Sequence, residues 1–440
     1  MKYHIINFGC QMNLRDSEVM AGILEENGYE RAESIDEADV ILVNTCAVRD
    51  SAERKIFGQL GTLAELKKKK PSLKIGVTGC LAQRPETPSK IVKLAPHVDL
   101  LFGVHNQHEV AKLLQQVKAA EDMVVDIWDQ EGDVLEHLPS RREDGLKAWV
   151  TIMYGCNNFC TYCVVPLVRG RERSRRPESI LAEVRELGEK GYKEITLLGQ
   201  NVNSYGKDLG GNYTFPDLLR DLDEVPGIER IRYMTSHPRD FSDRLIEVIA
   251  GSRKVCEHFH LPIQAGSDEI LRRMNRGYTR ETYLELIEKI RRAVPGASIT
   301  TDIIVGFPGE EEGHFQETLD LVRAAQFDAA FTFIFSPRAG TPAAKMPGQV
   351  PYAVKKERLA RLMEIQNEIS LQKNLALVGQ TVEVLVEGRS PKNPERLTGR
   401  TRTNKIVLFA GPEELVRQLV PVEIVRAKTW TLDGQVAAAN

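Results

Sequence analysis

The stretch Lys147–Cys163 reads KAWVTIMYGCNNFCTYC: an apolar run passes directly into a loop that holds three cysteines. The run predicts a β-strand over 147–154, and similar runs follow at 193–199, 229–235, 257–263, 297–305 and 329–335. Helical patterns separate these runs, as at Ser179–Glu189 and Glu311–Ala324. Six strand–helix units in succession predict a parallel (β/α)6 partial barrel. The cysteine loop follows the first strand, so we expect it on the face where such barrels carry their active sites.

The three cysteines of this loop, Cys156, Cys160 and Cys163, indicate an iron–sulfur cluster. A [4Fe–4S] cluster takes four ligands, so three thiolates leave one iron open to chelate a small molecule. A structural zinc site is an alternative, but it requires four ligands and no Cys or His pair lies nearby to complete it. A redox dithiol of Cys160 and Cys163 is another alternative, which would leave Cys156 without a role.

Residues 1–142 alternate strand-like and helical patterns, which predicts an open parallel sheet. Three of the apolar runs end in a cysteine: Ile5–Cys10 (IINFGC), Ile41–Cys46 (ILVNTC) and Ile75–Cys80 (IGVTGC). The carboxyl ends of neighbouring parallel strands line one crevice, so Cys10, Cys46 and Cys80 are expected to hold a second cluster. The alternative is three ordinary buried cysteines, because free cysteine is among the most buried residue types.

The chain after the barrel predicts a long charged helix at about 352–376 and then a β-rich segment. Strand-like runs occur at Thr381–Glu387, Lys405–Ala410 and Val420–Thr429, with turns expected at Gly388, Pro391, Gly399 and Gly434. This pattern predicts a small antiparallel β-barrel of five strands. We therefore expect an α/β protein with domains at 1–142, 143–376 and 377–440.

The overall composition limits the classes of function. The 440 residues carry a net charge of −3, so any affinity for nucleic acid must come from local patches. The start of the chain lacks the pattern of a signal peptide, and no run approaches the ~20 apolar residues of a membrane span. These features predict a cytoplasmic protein whose seven cysteines are not a disulfide framework. Cys256 has no partner set and is expected to be structural.

The cysteine spacing resembles that of a known family. The C-x3-C-x2-C pattern with Tyr162 before the last cysteine resembles the motif of the radical S-adenosylmethionine (SAM) superfamily. The strings FGCQMN at Phe8–Asn13, NTCAVR at Asn44–Arg49 and TGC at Thr78–Cys80 resemble the amino-terminal domain of methylthiotransferases. The resemblance covers essentially the whole chain. It implies two [4Fe–4S] clusters, SAM as cofactor, and a second cluster that serves as the source or carrier of sulfur.

The resemblance also implies which residues contact SAM. Tyr162 would lie near the SAM adenine, and the strand at Ile303–Gly306 resembles the strand that flanks this adenine in the superfamily. Polar residues and glycines at other strand ends complete the candidate SAM site: Gln200, Asn201, Gln264 and Gly306. Such turns also occur in βα loops that bind nothing. His258 and His260 lie two apart and share one strand face.

Two basic segments are candidates for RNA contact. Arginine forks suit phosphate oxygens, and the run after the cluster loop offers Arg169, Arg171, Arg173 and Arg175. The segment before the strand at 405–410 resembles a TRAM module and offers Arg400, Arg402 and Lys405. The alternative for the first run is a solvated face paired with glutamates of the next helix.

The family resemblance predicts the reaction. We expect insertion of a methylthio group at C2 of N6-isopentenyladenosine beside the tRNA anticodon, position 37, with two SAM consumed per turnover. The string Asn44–Lys55 most resembles the isopentenyladenosine branch. Alternative targets are threonylcarbamoyl-adenosine in tRNA and an aspartate of a ribosomal protein, and a further alternative is a non-catalytic Fe–S electron carrier or RNA-binding scaffold. The expected partners are the tRNA anticodon loop and a low-potential electron donor of flavodoxin or ferredoxin type, with the enzyme a monomer.

Overall fold

The computed structural model describes residues 1–47, 50–142 and 144–437, and leaves the side chains of 50–54 undescribed. Val48 and Arg49, which belong to the string that resembles the isopentenyladenosine branch, lie outside the described residues. Within the described ranges, no helix combines the length and the apolar character needed to cross a membrane.

The amino-terminal segment forms a parallel sheet of six strands in the order β2-β1-β3-β4-β5-β6. The strands are β1 Lys2–Phe8, β2 Glu30–Arg31, β3 Val40–Thr45, β4 Lys74–Gly79, β5 Leu100–Phe102 and β6 Val124–Asp126. The helices are α1 Gln11–Glu26, α2 Asp50–Lys69, α3 Thr87–Leu94 and α4 Val110–Ala119. Strand β3 is buried along its whole length, because helices cover both faces of the sheet.

The central segment forms an open barrel. Its strands are β7 Lys147–Thr151, β8 Met153–Tyr154, β9 Arg173–Ser174, β10 Glu194–Leu198, β11 Arg230–Tyr233, β12 His258–His260, β13 Ser298–Val305 and β14 Ala329–Ile334. The helices are α5 Val165–Arg169, α6 Pro177–Glu189, α7 Phe215–Asp223, α8 Asp243–Gly251, α9 Asp268–Arg273, α10 Arg280–Ala293, α11 Glu312–Ala325, α12 Pro342–Lys345 and α13 Tyr352–Leu375. The parallel sheets β11-β10-β7 and β12-β13-β14 meet at a bridge between Ile231 and Val255.

The two faces of the barrel strands differ in chemistry. Alternate residues such as Val150, Leu197 and Ile299 point outwards and pack into the core beneath the helices. The residues between them, such as Thr196 and Thr300, face the interior of the barrel, which we call the lumen. Among the described strands, β7 pairs only with β10 on this sheet and β14 only with β13, so the barrel is open between β7 and β14.

The carboxyl-terminal segment is a closed five-stranded barrel in the order β15-β16-β17-β19-β18. Its strands are β15 Thr381–Ser390, β16 Asn393–Thr401, β17 Ile406–Ala410, β18 Leu419–Ala427 and β19 Thr431–Val436. The expected barrel is confirmed, but one pair, β17 with β19, is parallel. Gly388, Gly399 and Gly434 were expected in turns and instead lie within strands. A Cβ at Gly399 would lie 2.4 Å from the Leu385 carbonyl oxygen, so the closed barrel requires glycine there.

The small barrel packs against the amino-terminal ends of the central strands. The buried Arg232 side chain donates to the carbonyls of Thr401 (2.8 Å) and Arg402 (2.9 Å) and to Glu194 (2.8 Å). Arg230 donates to the Arg400 carbonyl at 2.7 Å and to Glu383 at 2.8 Å. The carboxyl-terminal barrel therefore closes the end of the lumen opposite the cluster loop.

We expect Arg232→Met to destabilise this junction by about 3–5 kcal/mol, because Glu194 would keep a buried charge without its partner. Urea unfolding followed by circular dichroism measures the effect. Arg220→Met is the matched control, since the Arg220 side chain is 62% exposed in its ion pair and should contribute at most about 1 kcal/mol. Equal urea midpoints for Arg232→Met and Arg220→Met would show that the buried junction contributes no more to stability than an exposed ion pair.

Candidate active site

The three amino-terminal cysteines meet at one edge of the sheet. Thr45 pairs with Phe8 on one side and with Gly79 on the other, so Cys46 and Cys80 leave their strands at the same level and Cys10 follows one residue beyond. The carboxyl ends of parallel strands form the usual ligand crevice of such sheets. The register thus brings together the cysteines expected to hold the second cluster.

Two asparagines that the sequence analysis did not identify fix these loops. The Asn13 amide donates to Asn44 Oδ1 at 3.1 Å and to the Thr45 carbonyl at 3.2 Å, and its Oδ1 accepts from the Cys10 N–H at 3.3 Å. The Asn44 amide donates to the Asn13 carbonyl at 2.8 Å. Gly79 adopts φ +98°, and a Cβ there would lie 2.3 Å from the Thr45 carbonyl oxygen. The loop before Cys80 therefore requires glycine.

The central cysteine loop, residues 156–163, is fixed by hydrogen bonds from several sides. The Cys156 N–H donates to the Gly170 carbonyl at 3.1 Å and the Cys163 N–H donates to the Cys160 carbonyl at 2.9 Å. The Thr161 hydroxyl donates to the Arg273 carbonyl at 2.9 Å, which ties the loop to the end of α9. These bonds fix the backbone that carries the three thiols.

One cysteine of the amino-terminal set contacts the segment that follows the central cysteine loop. Cys80 packs in one apolar cluster with Val164 and Val168, which follow Cys163 directly along the chain. Arg169 crosses the same boundary: its Nε donates to Cys80 Sγ at 3.2 Å, and its Nη2 pairs with Asp16 at 2.6 Å. The last residue of α5, the helix that follows the central cluster loop, therefore contacts a cysteine of the amino-terminal set.

A second buried arginine serves the central loop. Arg276 Nη1 donates to Cys160 Sγ at 3.2 Å, and its Nη2 donates to the Pro262 carbonyl at 2.8 Å. The hydroxyl of Tyr162 lies 3.5 Å from the same guanidinium. Arg276 lies 116 residues after Cys160 in the chain, and no local pattern in the sequence marked it.

Burial favours the protonated form of three of these thiols. Removal from water raises the pKa of Cys80 and of Cys156 to about 11 and that of Cys163 to about 12, while the Arg169 charge partly opposes the shift at Cys80. Cluster irons bind thiolates, so metal must displace these protons. The arginines beside Cys80 and Cys160 stabilise the negative charge that results.

The donor sets fit clusters better than single ions. Across the ranges that the structure describes, no group of three or more His, Cys, Asp or Glu side chains is gathered closely enough for one metal ion. Each cysteine of a cubane cluster binds a different iron, so these thiols need not converge on one point. Three cysteines for each set fit a [4Fe–4S] cluster with one iron left for another ligand.

The strand ends beside Cys160 carry polar atoms without partners. Gln200 Oε1, Ser236 Oγ and His237 Nε2 are buried and have no hydrogen-bond partner within the described residues. The His237 ring lies 5.5 Å from that of Tyr278, whose hydroxyl accepts from Arg276 at 2.8 Å. Buried polar groups are normally satisfied, so these atoms fit a polar ligand such as SAM.

The other candidate SAM residues also follow strands of the barrel: Asn201 follows β10, Gln264 follows β12 and Gly306 follows β13. Asn201 is buried, donates to Asp240 at 2.8 Å and accepts from the His237 N–H at 3.2 Å. Gln264 has φ +73° and forms a bridge with Ile303 at the end of β13. The Gly306 N–H donates to Glu310 at 2.8 Å, which gives this glycine a role in its own turn. Direct contact of Asn201, Gln264 and Gly306 with SAM remains a prediction.

The arginine run after the cluster loop is not the open basic face that the sequence indicated. Arg169 is buried against Asp16 and Cys80, and Arg175 is buried in ion pairs with Glu136 (2.8 Å) and Glu183 (2.6 Å). The Arg173 side chain is partly buried, and its guanidinium lies over the ring of Tyr154. Arg171 is exposed and stacks 4.4 Å above the ring of Phe159, so it is the member of the run available to RNA.

The basic loop of the small barrel also differs from expectation. Arg402 pairs with Glu257 at 2.7 Å, and Lys405 pairs with Asp328 at 2.8 Å. Both partners belong to the central segment. Arg400 is partly exposed and pairs with Glu387 at 3.3 Å. Arg402 and Lys405 therefore join two parts of the chain, and their contact with RNA stays a prediction.

A parallel half-open barrel with three cysteines in its first loop defines the class of radical SAM enzymes. The Radical SAM superfamily matches residues 150–322, the Uncharacterized protein family UPF0004 matches 2–103, and the TRAM domain matches 375–437. A radical SAM methyltransferase, TsrM of Kitasatospora setae, shares the fold with a TM-score of 0.59 at 14% identity, over 78% of this chain and 75% of that chain.

Similar proteins identify the family to which the chain belongs within the class of radical SAM enzymes. The chain is 57% identical to the tRNA-2-methylthio-N(6)-dimethylallyladenosine synthase of Desulforamulus reducens, over 99% of this chain and 95% of that protein. It is equally 57% identical to the synthase of the same name from Moorella thermoacetica, over 99% and 98% of the two chains. The chain belongs to the family of tRNA-2-methylthio-N(6)-dimethylallyladenosine synthases. The expected family, fold class and cofactors, [4Fe–4S] clusters and SAM, are confirmed.

The ligand assignment predicts a specific pattern of iron loss. After anaerobic reconstitution we expect about eight irons and eight sulfides per chain, because each cubane holds four of each. Replacing Cys10, Cys46 and Cys80 together by alanine should halve both counts, and so should replacing Cys156, Cys160 and Cys163. Cys256→Ala is the matched control, since Cys256 is also buried and should leave the counts unchanged. Unaltered iron in either triple variant would contradict the assignment.

Arg169→Met tests the contact between the two cysteine sets. The substitution leaves Asp16, whose side chain is 10% exposed, without its ion-pair partner, so we expect a loss of about 3–5 kcal/mol in stability. Asp16→Asn with Arg169→Met should recover part of that loss, because the unpaired charge is then removed. Urea unfolding of the four proteins of this double-mutant cycle measures the coupling, and additive effects would show that the pair contributes nothing.

Proposed function

We propose that this protein inserts a methylthio group at C2 of N6-isopentenyladenosine, position 37 of tRNA, with two SAM consumed per turnover. The observation that supports the proposal is the contact of Cys80, a cysteine of the amino-terminal set, with Arg169 and Val164, which follow the central cysteine loop in the chain. The names of relatives that are 57% identical support the substrate, because dimethylallyl and isopentenyl denote the same substituent.

The chemistry explains why two sites must lie together. The C2–H of an adenine is not acidic and its carbon carries no leaving group, so acid–base catalysis does not suffice. Bound at these cysteines, the clusters and SAM would supply the radical chemistry that removes this hydrogen and the sulfur that replaces it. The protein's own residues would bind and orient these groups and keep water out. Arg276 would hold the Cys160 thiolate, and the Val164–Val168 cluster would exclude solvent between the sites.

Two other targets belong to the same chemistry. Threonylcarbamoyl-adenosine in tRNA and an aspartate of a ribosomal protein would need the same clusters, and the names of the relatives favour isopentenyladenosine over both. A non-catalytic electron carrier or RNA-binding scaffold would not require unpartnered polar atoms at the strand ends beside Cys160.

The proposal extends to partners and organisation. Reductive cleavage of SAM needs a low-potential electron, so a flavodoxin or ferredoxin is the proposed donor. Because its proposed substrate is tRNA, we place the enzyme in the cytoplasm, acting on the anticodon loop as a monomer.

We further propose domain boundaries after residues 142 and 376, with the cysteine ligands as assigned. The residues proposed to contact SAM are Tyr162, Gln200, Asn201, Gln264 and Gly306. Arg171 and Arg400 are the proposed RNA contacts.

Nucleoside mass spectrometry of tRNA from a deletion strain tests the substrate. We expect isopentenyladenosine to accumulate without its methylthio group, and the wild-type gene to restore the modification. The gene with Cys156→Ala should not restore it, while the Cys256→Ala gene should. Normal methylthio-isopentenyladenosine in the deletion strain, or loss of a modification at threonylcarbamoyl-adenosine instead, would refute the proposed substrate.

A further inference from the structure

Two phenylalanines of β14 are exposed although they point into the barrel. Phe331 pairs with Asp302 and Phe333 pairs with Ile304, so all four share the lumen face of the sheet. The opposite face of the same strands, with Ile299, Ile303 and Val305, is buried beneath helices. Phe331 is 57% exposed and Phe333 is 44% exposed. The two rings thus leave apolar surface open inside the molecule, beside the gap between β14 and β7.

Polar groups accompany these rings. The His260 ring meets Phe331 edge to face at 5.9 Å between centroids. His260 Nδ1 lies 3.0 Å from the Thr300 hydroxyl, and its Nε2 lies 3.5 Å from Asp302 Oδ1. The Asp302 side chain is itself 28% exposed. A ligand in this place would find apolar ring faces and an accessible carboxylate side by side.

The contacts of Arg276 show where His260 and the two phenylalanines lie relative to the cluster loop. This arginine contacts both Cys160 Sγ and the Pro262 carbonyl, and Pro262 lies two residues beyond His260 on the same strand path. At roughly 3.3 Å per residue, His260 lies about 7 Å below that level of the lumen. Phe333 lies nearer the cluster loop and Phe331 deeper, towards the end that the small barrel closes.

We propose that Phe333 and Phe331 form the wall that receives the target nucleoside, with Phe333 stacking on the purine and Phe331 contacting its apolar N6 substituent. This inference rests on the proposed function. The C2–H and C6–N6 bonds of adenine diverge from the two sides of N1, so turning C2 towards the cluster loop directs the N6 substituent away from that loop and into the lumen. Phe331 and Phe333 lie about 7 Å apart along the strand, which matches a base and its substituent placed end to end.

The two side chains then have separable effects on binding. A base must leave its stack to reach such a pocket, and aromatic side chains compensate for the lost stacking. Phe333→Ala should weaken binding of RNA about tenfold whether or not the target adenosine carries the isopentenyl group. Phe331→Ala should weaken binding only of the isopentenyl RNA. The expected loss is about tenfold, because the variant no longer buries the apolar surface of the isopentenyl group.

The experiment uses the reconstituted full-length enzyme and two anticodon stem-loop RNAs, with adenosine or N6-isopentenyladenosine at the target position. Fluorescence anisotropy gives the two RNA dissociation constants of each variant, and equilibrium dialysis gives its SAM affinity. Mass spectrometry of the isopentenyl RNA after incubation with the wild-type enzyme, SAM and a reductant shows whether it is methylthiolated. Tyr352→Ala is the matched control, because Tyr352 is an aromatic residue 68% exposed at the start of α13, outside the lumen. Iron content and circular dichroism confirm that each variant is folded.

The expected result is loss of isopentenyl preference in Phe331→Ala, weaker binding of both RNAs in Phe333→Ala, and unchanged SAM affinity in both. Wild-type affinities and preference in both phenylalanine variants would overturn the inference, and so would weakened SAM binding with unchanged RNA binding. If the wild-type enzyme failed to methylthiolate the isopentenyl RNA, the proposed function itself would fail. That result is distinguishable, because it does not depend on the phenylalanine variants.

Discussion

The hydrogen bond from Arg169 to Cys80, with its ion pair to Asp16, is the contact on which the arrangement of the two cysteine sets depends. It joins the first loop of a half-open barrel to the edge of a separate parallel sheet. A buried guanidinium needs a full set of acceptors, so its position is fixed only when both segments are in place. Chemistry that uses both sets requires this alignment, because sulfur on one side must reach a carbon activated on the other.

The cysteine sets could be predicted because they follow from strand topology. Parallel neighbours end at one edge, so Cys10, Cys46 and Cys80 had to meet once β1, β3 and β4 were adjacent. All six principal barrel strands occur where the apolar runs placed them. The helical pattern of the sequence predicts a helix over Ser17–Asn27, whereas α1 begins at Gln11. The first turn of α1 was missed because it is mostly polar and carries little apolar pattern. The strands missed in the sheet, β2, β5 and β6, span only two or three residues and are too short for any periodicity to appear.

The arginines could not be assigned from the sequence because an arginine's role depends on what lies opposite its guanidinium. The run from Arg169 to Arg175 resembles a basic surface, yet the fold turns Arg169 and Arg175 inwards to carboxylates and a thiol. Arg276 contacts Cys160 only through the tertiary fold, and Phe331, on the lumen face, is exposed because β14 is the edge strand of its sheet. Charge and composition give the chemistry of a side chain, whereas its partner comes from long-range packing.

The way the small barrel is held has a consequence for sequence variation. Arg230 and Arg232 recognise the peptide carbonyls of Arg400, Thr401 and Arg402, and a carbonyl is present whatever side chain its residue carries. At Arg400 and Thr401 the contacts with Arg230 and Arg232 therefore depend on the backbone path at the end of β16 and not on which side chains these residues carry. Substitutions that keep this backbone path preserve the three bonds, whereas a residue inserted or deleted within 400–402 would change which carbonyls lie opposite the two guanidinium groups.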